Sequence, residues 1–191
     1  MEKNDKQYVL VIGGPSGVGE STVTRAILKK YPNFKRLVTA TTRSPRLQEK
    51  DKIDYYFFSE VEFKEKIKKG DILEHTYNKE RDVYYGSYKP DLESKLSDGY
   101  SVIVNPDIVG AKYYKENYNA ITIFIMPSSF EELKKRQLAR NPNIAEKELD
   151  KRLSSAKREI EDESSFYDYK VINEQGKLDK AVEEVISIIN K

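Results

Sequence analysis

Tyr8-Val9-Leu10-Val11-Ile12 runs through Gly13 into Gly14-Pro15-Ser16-Gly17-Val18-Gly19-Glu20-Ser21. The first stretch is continuously apolar and rich in β-branched residues. It lacks the alternation of a half-exposed strand, so it predicts a strand buried on both faces. A glycine-rich turn follows, and behind it a helical pattern carries through Ile27 and Leu28 and stops before Pro32. Glycines in such a turn let backbone N–H groups point inward around phosphate, and the helix N-terminus adds a favourable dipole. The spacing fits the phosphate-loop (P-loop) pattern G-x-x-x-x-G-K-[ST] at every fixed position except the lysine, where the chain has Glu20. Gly14, Pro15, Ser16, Gly17, Val18, Gly19, Ser21 and Thr22 are the expected triphosphate cradle, and the Ser21 hydroxyl is the expected Mg²⁺ ligand.

Glu20 reverses a charge. The lysine of the pattern neutralises β- and γ-phosphates as charge shifts during transfer. A unit charge ~4 Å from a phosphate is worth about 4 kcal/mol at an effective dielectric near 20, so reversing its sign removes up to roughly 8 kcal/mol, or five to six decades in rate. Rotation toward water, extra Mg²⁺ or a nearby arginine would shrink that penalty. Arg25, at an i,i+5 offset from Glu20, is poorly placed to pair with it.

Outward from the loop, short apolar runs alternate with amphipathic stretches. Strands are expected at 37–40 (Leu-Val-Thr-Ala), 101–104, 121–125 and 170–172. One helix is expected to start near Ser128, where Ser128 and Glu131 have capping-box spacing. Another carries Leu149, Leu153, Ala156 and Ile160 on one face, and the last carries Leu178, Ala181, Val182, Val185, Ile186 and Ile189. Strands alternating with helices predict a three-layer α/β fold, a parallel sheet with helices on both sides. The rhythm breaks from Asp54 to about Tyr88, where aromatics concentrate around a helix opened by Ser59 and Glu62 and closed near Gly70. This predicts an inserted small antiparallel subdomain. The charged stretch from Arg136 to Glu163 reads as a helical lid or as a solvated surface helix.

Downstream of the phosphate loop, Thr39-Ala40-Thr41-Thr42-Arg43-Ser44-Pro45-Arg46 places two arginines three residues apart on a loop, forked donors suited to a phosphate group. Glu74 and then Tyr84-Tyr85-Gly86-Ser87 follow. A carboxylate accepts two N–H bonds from guanine's N1 and N2 edge, which adenine does not present, and Tyr and Ser hydroxyls supply further contacts. Taken singly, these aromatics are equally a subdomain core, and the arginines a solvated loop.

In this order the motifs, from the phosphate loop through T-T-R-x-P-R and Y-Y-G-S to the C-terminal V-I-N, resemble those of guanylate kinases over nearly the whole chain. The resemblance implies one domain, with a core of about 1–39, 89–135 and 164–191, a GMP-binding subdomain of about 40–88 and a lid of about 136–163. It implies ATP at the phosphate loop and Asn173, and a GMP phosphate held by Thr39, Arg43, Arg46 and Tyr85. Glu74, Ser87 and Asp107 would read guanine beside Tyr55. Arg136, Arg140 and Arg152 match the family's lid arginines, which act on the transferring phosphates alongside position 20. The chain departs from the family pattern at Glu20, at Asn105-Pro106-Asp107 in place of acidic-Ile-Asp, and at Val109 in place of Gln. Its 75–83 segment is also about two residues longer than typical, and the Arg140 to Arg152 spacing is one residue longer.

Two functions stay open: Mg²⁺-dependent phosphoryl transfer from ATP to GMP, and a catalytically weak GMP-binding or protein-interaction domain on the same fold. A GTPase switch is demoted because the Asn-Lys pair in Asn78-Lys79-Glu80-Arg81 lacks the aspartate of N-K-x-D and sits in the wrong region. The 191 residues suit a single domain. Lys and Arg total 34 against 32 acids, a net charge of +2, and alternate with them, so no basic stripe points to nucleic acid and no field to a membrane. Zero Cys and one His, His75, exclude disulfides, thiol catalysis and a multi-His metal centre, and His75 itself is expected to be structural. The start, Met1 to Gln7, lacks a leader's apolar stretch, so a cytoplasmic monomer or homodimer is expected.

Overall fold

A computed structural model describes residues 7–79 and 81–190; residues 1–6, on which the leader reading rests, and Glu80 of the Asn-Lys segment lie outside the described residues. The chain runs β1 (Val9–Gly13), α1 (Glu20–Lys30), β2 (Phe34–Arg36), β3 (Ala40–Thr41), β4 (Tyr56–Phe57) and α2 (Glu60–Lys69). It continues with β5 (Ile72–Asn78), β6 (Val83–Tyr88), α3 (Lys89–Ser97), β7 (Ser101–Val104) and α4 (Ile108–Tyr118). Then come β8 (Ile121–Met126), α5 (Phe130–Arg140), α6 (Glu146–Arg158), a π-helical turn Glu159–Glu163, a 3-10 turn Ser164–Phe166, β9 (Tyr169–Ile172) and α7 (Leu178–Ile189). The larger sheet has five strands in the order β2-β7-β1-β8-β9, and the smaller has the order β4-β3-β6-β5. No helix among the described residues is long and apolar enough to cross a membrane.

Two compact units emerge. One comprises Val9–Pro32 and Ile103–Lys191. Its β1 is buried at every residue, as the unbroken apolar run requires. β1 pairs in parallel with β8 (Leu10 opposite Ile121), and β8 in parallel with β9 (Ile125 opposite Val171). α7 packs against α1 and β9 with Ala181, Val182, Val185, Ile186, Ile188 and Ile189 buried, the stripe its spacing predicts. α6 buries Leu149, Leu153 and Ala156, whereas Ile160 falls in the π-helical turn and is only half-buried. The α5 cap sits one residue later than expected. Ser129, in extended backbone, accepts from Glu132 N at 3.1 Å, while Ser128 bonds the Glu132 side chain.

The other unit holds Asn33–Val102 with the described residues up to Tyr8. Its helix α2 starts at the expected capping box, with Glu62 N bonded to Ser59 Oγ at 3.2 Å and Ser59 N to Glu62 Oε2 at 2.8 Å. It stops at Gly70, whose φ of 76° only glycine adopts freely. The expected strand at 37–40 is interrupted. Val38 N bonds Asp91 Oδ2 at 2.9 Å instead of a neighbouring strand, so residues 37–39 leave the ladder between β2 and β3. The sheet is mixed, not wholly antiparallel: β3 runs antiparallel to β6 but parallel to β4.

Strand alternation sorts the aromatics of this unit into two sets. Tyr56, Phe58, Tyr84 and Tyr88 pack on a core of Phe63, Ala40 and Ile72. The intervening positions, Tyr55, Phe57, Tyr85 and Ser87, belong to the other face. Phe63 is fully buried between the capped helix and that sheet, so Phe63→Ala should cost about 3–5 kcal/mol. Chemical denaturation measures this directly, and a loss below about 1 kcal/mol would remove Phe63 from the centre of the core.

Candidate active site

The glycine loop is held by its carbonyl groups. Gln137 Nε2 donates to Ser16 O at 2.5 Å, and Val18 O accepts from both Arg136 Nη1 at 2.7 Å and Asn173 Nδ2 at 2.8 Å. Arg136 Nη2 donates to Asn173 O at 2.7 Å and the same side chain pairs with Glu132. Anions are bound by N–H groups, so occupying the carbonyls from outside removes the dipoles that would repel a phosphate. The turn needs bare glycine. At Gly17 (φ 93°) a Cβ would lie 2.4 Å from Gln137 Nε2, and at Gly19 (φ 101°) 2.6 Å from Asn173 Nδ2. Gly19 is also the N-cap of α1 and offers no side chain; its carbonyl accepts Thr22 N and Val23 N, which leaves the amides of Glu20 and Ser21 to a ligand.

Gly17, Gly19, Thr22, Arg136 and Asn173 line one cleft of about 260 Å³ with Glu174, Gln175, Gly176 and Leu178. Arg140 is exposed on the last turn of α5, and Arg152 Nε pairs with Glu148 Oε1 at 2.8 Å on α6; neither lines that cleft. Ser21 is exposed in the first turn of α1. No group of three or more His, Cys, Asp or Glu among the described residues forms a metal cage. Mg²⁺ keeps waters and substrate phosphates as ligands and needs few protein groups, of which the exposed Ser21 hydroxyl is one of the right chemistry. Asn105 donates from Nδ2 to Ile12 O at 2.9 Å and faces Thr24 Oγ1 at 3.2 Å, tying the end of β7 to β1 and α1. Asp107 caps α4 through Gly110 N at 3.0 Å.

Glu20 is half-buried at the mouth of the loop. Burial, reinforced by the charge of Glu159, pushes its carboxyl from the ordinary 4.5 up to about 8. The same burial and the same carboxylates push the Tyr167 hydroxyl up. Tyr167 Oη lies against the end of β1, where a Cβ on Gly13 would come within 2.3 Å of it. At neutral pH, then, position 20 carries a largely neutral acid, and the cost inferred from full charge reversal falls to about the lost lysine alone, ~4 kcal/mol.

The acceptor candidates lie in the other unit. Thr41 Oγ1 donates to Tyr84 O at 2.9 Å and Thr42 Oγ1 accepts from Tyr84 N at 2.9 Å, fixing the loop before Arg43. Arg43 Nη1 and Nη2 reach Glu49 at 2.6 and 2.8 Å, and its guanidinium lies 5.1 Å from the Tyr55 ring centroid. Tyr55 meets Tyr85 edge-on at 6.1 Å, and the Tyr85 hydroxyl stands beside Arg43. On the same face of β6, Ser87 Oγ, buried, donates to Glu74 Oε1 at 2.5 Å. Arg46 is exposed, and Thr39 is half-buried just before β3.

The guanylate kinase family model matches residues 6–191. A guanylate kinase of Clostridium tetani is 43% identical over 187 residues, covering 97% of this chain and 86% of that one. One from Clostridium perfringens (strain SM101 / Type A) is 38% identical over 192 residues, covering 99% and 85%. The chain belongs to the guanylate kinase family. The crystal structure of guanylate kinase from Anaplasma phagocytophilum shares the fold with a TM-score of 0.72 at 29% identity, covering 98% of this chain and 86% of that one.

Sequence reasoning missed Gln137, Glu49, Glu159 and Tyr167. Gln137 had a signal, a polar residue one turn after Leu133 on the buried stripe of α5. The environment of Glu20 gives a measurable consequence. Between pH 4.5 and about 8 the folded chain holds a proton on Glu20 that the unfolded chain releases, so the Glu20 contribution to stability should fall as pH rises through that window and be constant outside it. Glu20→Gln should remove that part of the slope, read as the difference from the unsubstituted chain in urea titrations of nucleotide-free, divalent-free protein. An unchanged slope would assign the titration to another group.

Proposed function

We propose that this guanylate kinase family member transfers the γ-phosphoryl group of ATP to GMP, giving ADP and GDP, with a donor loop whose usual cation is replaced by the neutral acid Glu20. The observation that carries the acceptor half is the face of β6 and its neighbours, which gathers a guanidinium, two tyrosines and a serine–carboxylate pair. Arg43, Arg46, Thr39 and Tyr85 would take the GMP phosphate. Glu74, oriented by Ser87, would accept from guanine N1 and N2, with Tyr55 beside the base and Asp107 adding a contact. On the donor side, the loop amides of 14–21 and Thr22 would hold the ATP phosphates and Asn173 the adenine. Ser21 would hold Mg²⁺, which when bound neutralises phosphate charge.

Phosphoryl transfer of this kind needs positioning and electrostatic stabilisation, with no covalent intermediate. The arginines at 136, 140 and 152 are the cations available to that task. The proposed division of labour gives about 40–88 to GMP and about 136–163 to a lid that closes and excludes water. Arg136 has a second duty in this reading, since its bonds to Val18 O and Asn173 O make the same residue a support of the loop.

The direct test is ADP formation from MgATP with GMP, AMP, UMP and CMP supplied separately. GMP-dependent turnover is expected, and turnover indifferent to the acceptor base would overturn the reading. Glu20→Lys should raise kcat by up to about a thousandfold, the rate equivalent of ~4 kcal/mol, with little change in GMP affinity. Equal turnover in the two proteins would mean that position 20 does not face the transferring phosphate. Glu74→Gln should weaken GMP binding and relax the preference for guanine over adenine; intact selectivity would place base reading elsewhere.

A further inference from the structure

Arg43 is held by one edge and left unpaired at its Nε. Its Nη1 donates to Glu49 Oε2 at 2.6 Å and to Ser44 O at 2.9 Å, and its Nη2 donates to Glu49 Oε1 at 2.8 Å. Glu49 is itself pinned, since Oε2 also accepts Arg46 N at 2.8 Å. The pairing holds the Glu49 carboxyl down to about 2 and raises Arg43 further above its already high value, so both stay charged across the working range. The guanidinium is nearly covered, lying over the rings of Tyr55 and Phe57, yet its Nε is buried with no hydrogen-bond partner.

A guanidinium carries five N–H donors in a rigid fork, and two of its edges accept an oxyanion in bidentate fashion. The carboxylate of Glu49 takes the Nη1–Nη2 edge, and the Ser44 carbonyl takes more of Nη1. The Nε side is what remains, a buried donor without a hydrogen-bond partner, with the Tyr85 hydroxyl beside the guanidinium. From this geometry we infer that Glu49 is a positioning residue: it grips Arg43 by the far edge so that the Nε edge is presented to the oxygens of a phosphate monoester. The inference rests on the acceptor reading given above and adds the residue that makes Arg43 selective for phosphate.

The opposite role, a carboxylate that competes with the phosphate for Arg43, predicts the opposite sign. Glu49 occupies a different edge from the orphan Nε, so a bound phosphate need not displace it. Charge alone also argues for tighter binding once Glu49 is neutralised, because the Arg43 cation would then be uncompensated. Weaker GMP binding in the neutral variant, with guanosine binding unchanged, requires that orientation outweigh charge.

Calorimetric titration of the full chain with GMP and with guanosine, in the absence of ATP, separates these cases. The wild-type protein should bind GMP more tightly than guanosine. Glu49→Gln should lose about tenfold in GMP affinity, a loss on the scale of one charge-assisted hydrogen bond, and none for guanosine. In steady-state assays it should raise KM for GMP with KM for ATP unchanged. Glu49→Asp, which keeps the charge on a shorter arm, should recover part of the loss. In an Arg43→Lys background, Glu49→Gln should add nothing further. GMP affinity that is unchanged or tighter in Glu49→Gln overturns the inference. A parallel loss for guanosine also overturns it, because that marks a general structural role. A wild-type protein that binds GMP no better than guanosine overturns the acceptor reading itself.

Discussion

A loop that binds phosphate must keep its carbonyl oxygens away from the ligand, and in this chain that constraint is met by side chains. Gln137, Arg136 and Asn173 come from α5 and from the segment after β9, and all three bond carbonyls of the loop that joins β1 to α1. The bare glycines at 17 and 19 are the counterpart of this arrangement, because a Cβ at either would strike the side chains that do the holding. The parallel pairing of β1, β8 and β9 brings these segments to the same end of the sheet, so the strand order and the shape of the loop are one requirement.

The same crowding explains the acid at position 20. A carboxylate placed near Glu159 and under Tyr167 is disfavoured by desolvation first and by like charge second, and protonation relieves both. A neutral acid is a weaker partner for phosphate than a lysine but does not repel it as an ionised one would. In the proposed reading, donor affinity and stability are linked through this one proton, and burial sets how severe the substitution is.

Local signals in the sequence were enough for the buried strand β1, which runs one residue later than the expected 8–12, the glycine frame, the capping box at Ser59 and the apolar stripe of α7. Each of these is written within one turn or one strand of chain. What escaped depends on distant residues. The ladder breaks at Val38 because an aspartate 53 positions later takes its amide. The protonation of Glu20 follows from tertiary burial, and Gln137 becomes a loop support only because α5 packs beside the glycines. Among the aromatics of 54–88 the sequence left core and site unresolved, yet the rule that separates them is the period of two itself. Tyr56 and Phe58 face Phe63, and Tyr55 and Phe57 meet Arg43. The register that fixes which set turns inward is set by the pairing of β3 with β4 and β6.

Both candidate sites are built by the same device. In the glycine loop, the groups that would oppose an anion are consumed by neighbouring side chains, and the amides are what is left. At Arg43, one edge of a cation is consumed by Glu49, and a buried Nε is what is left. Each ligand-binding group is thus defined by the saturation of the groups beside it, which orients it before any ligand arrives and lowers the entropy lost on binding. A fork free to rotate would bind phosphate in many poses, and in-line transfer requires one. In the proposed reading, a carboxylate beside the phosphate site is compatible with specific binding because its charge is spent on the arginine, and what it contributes is direction.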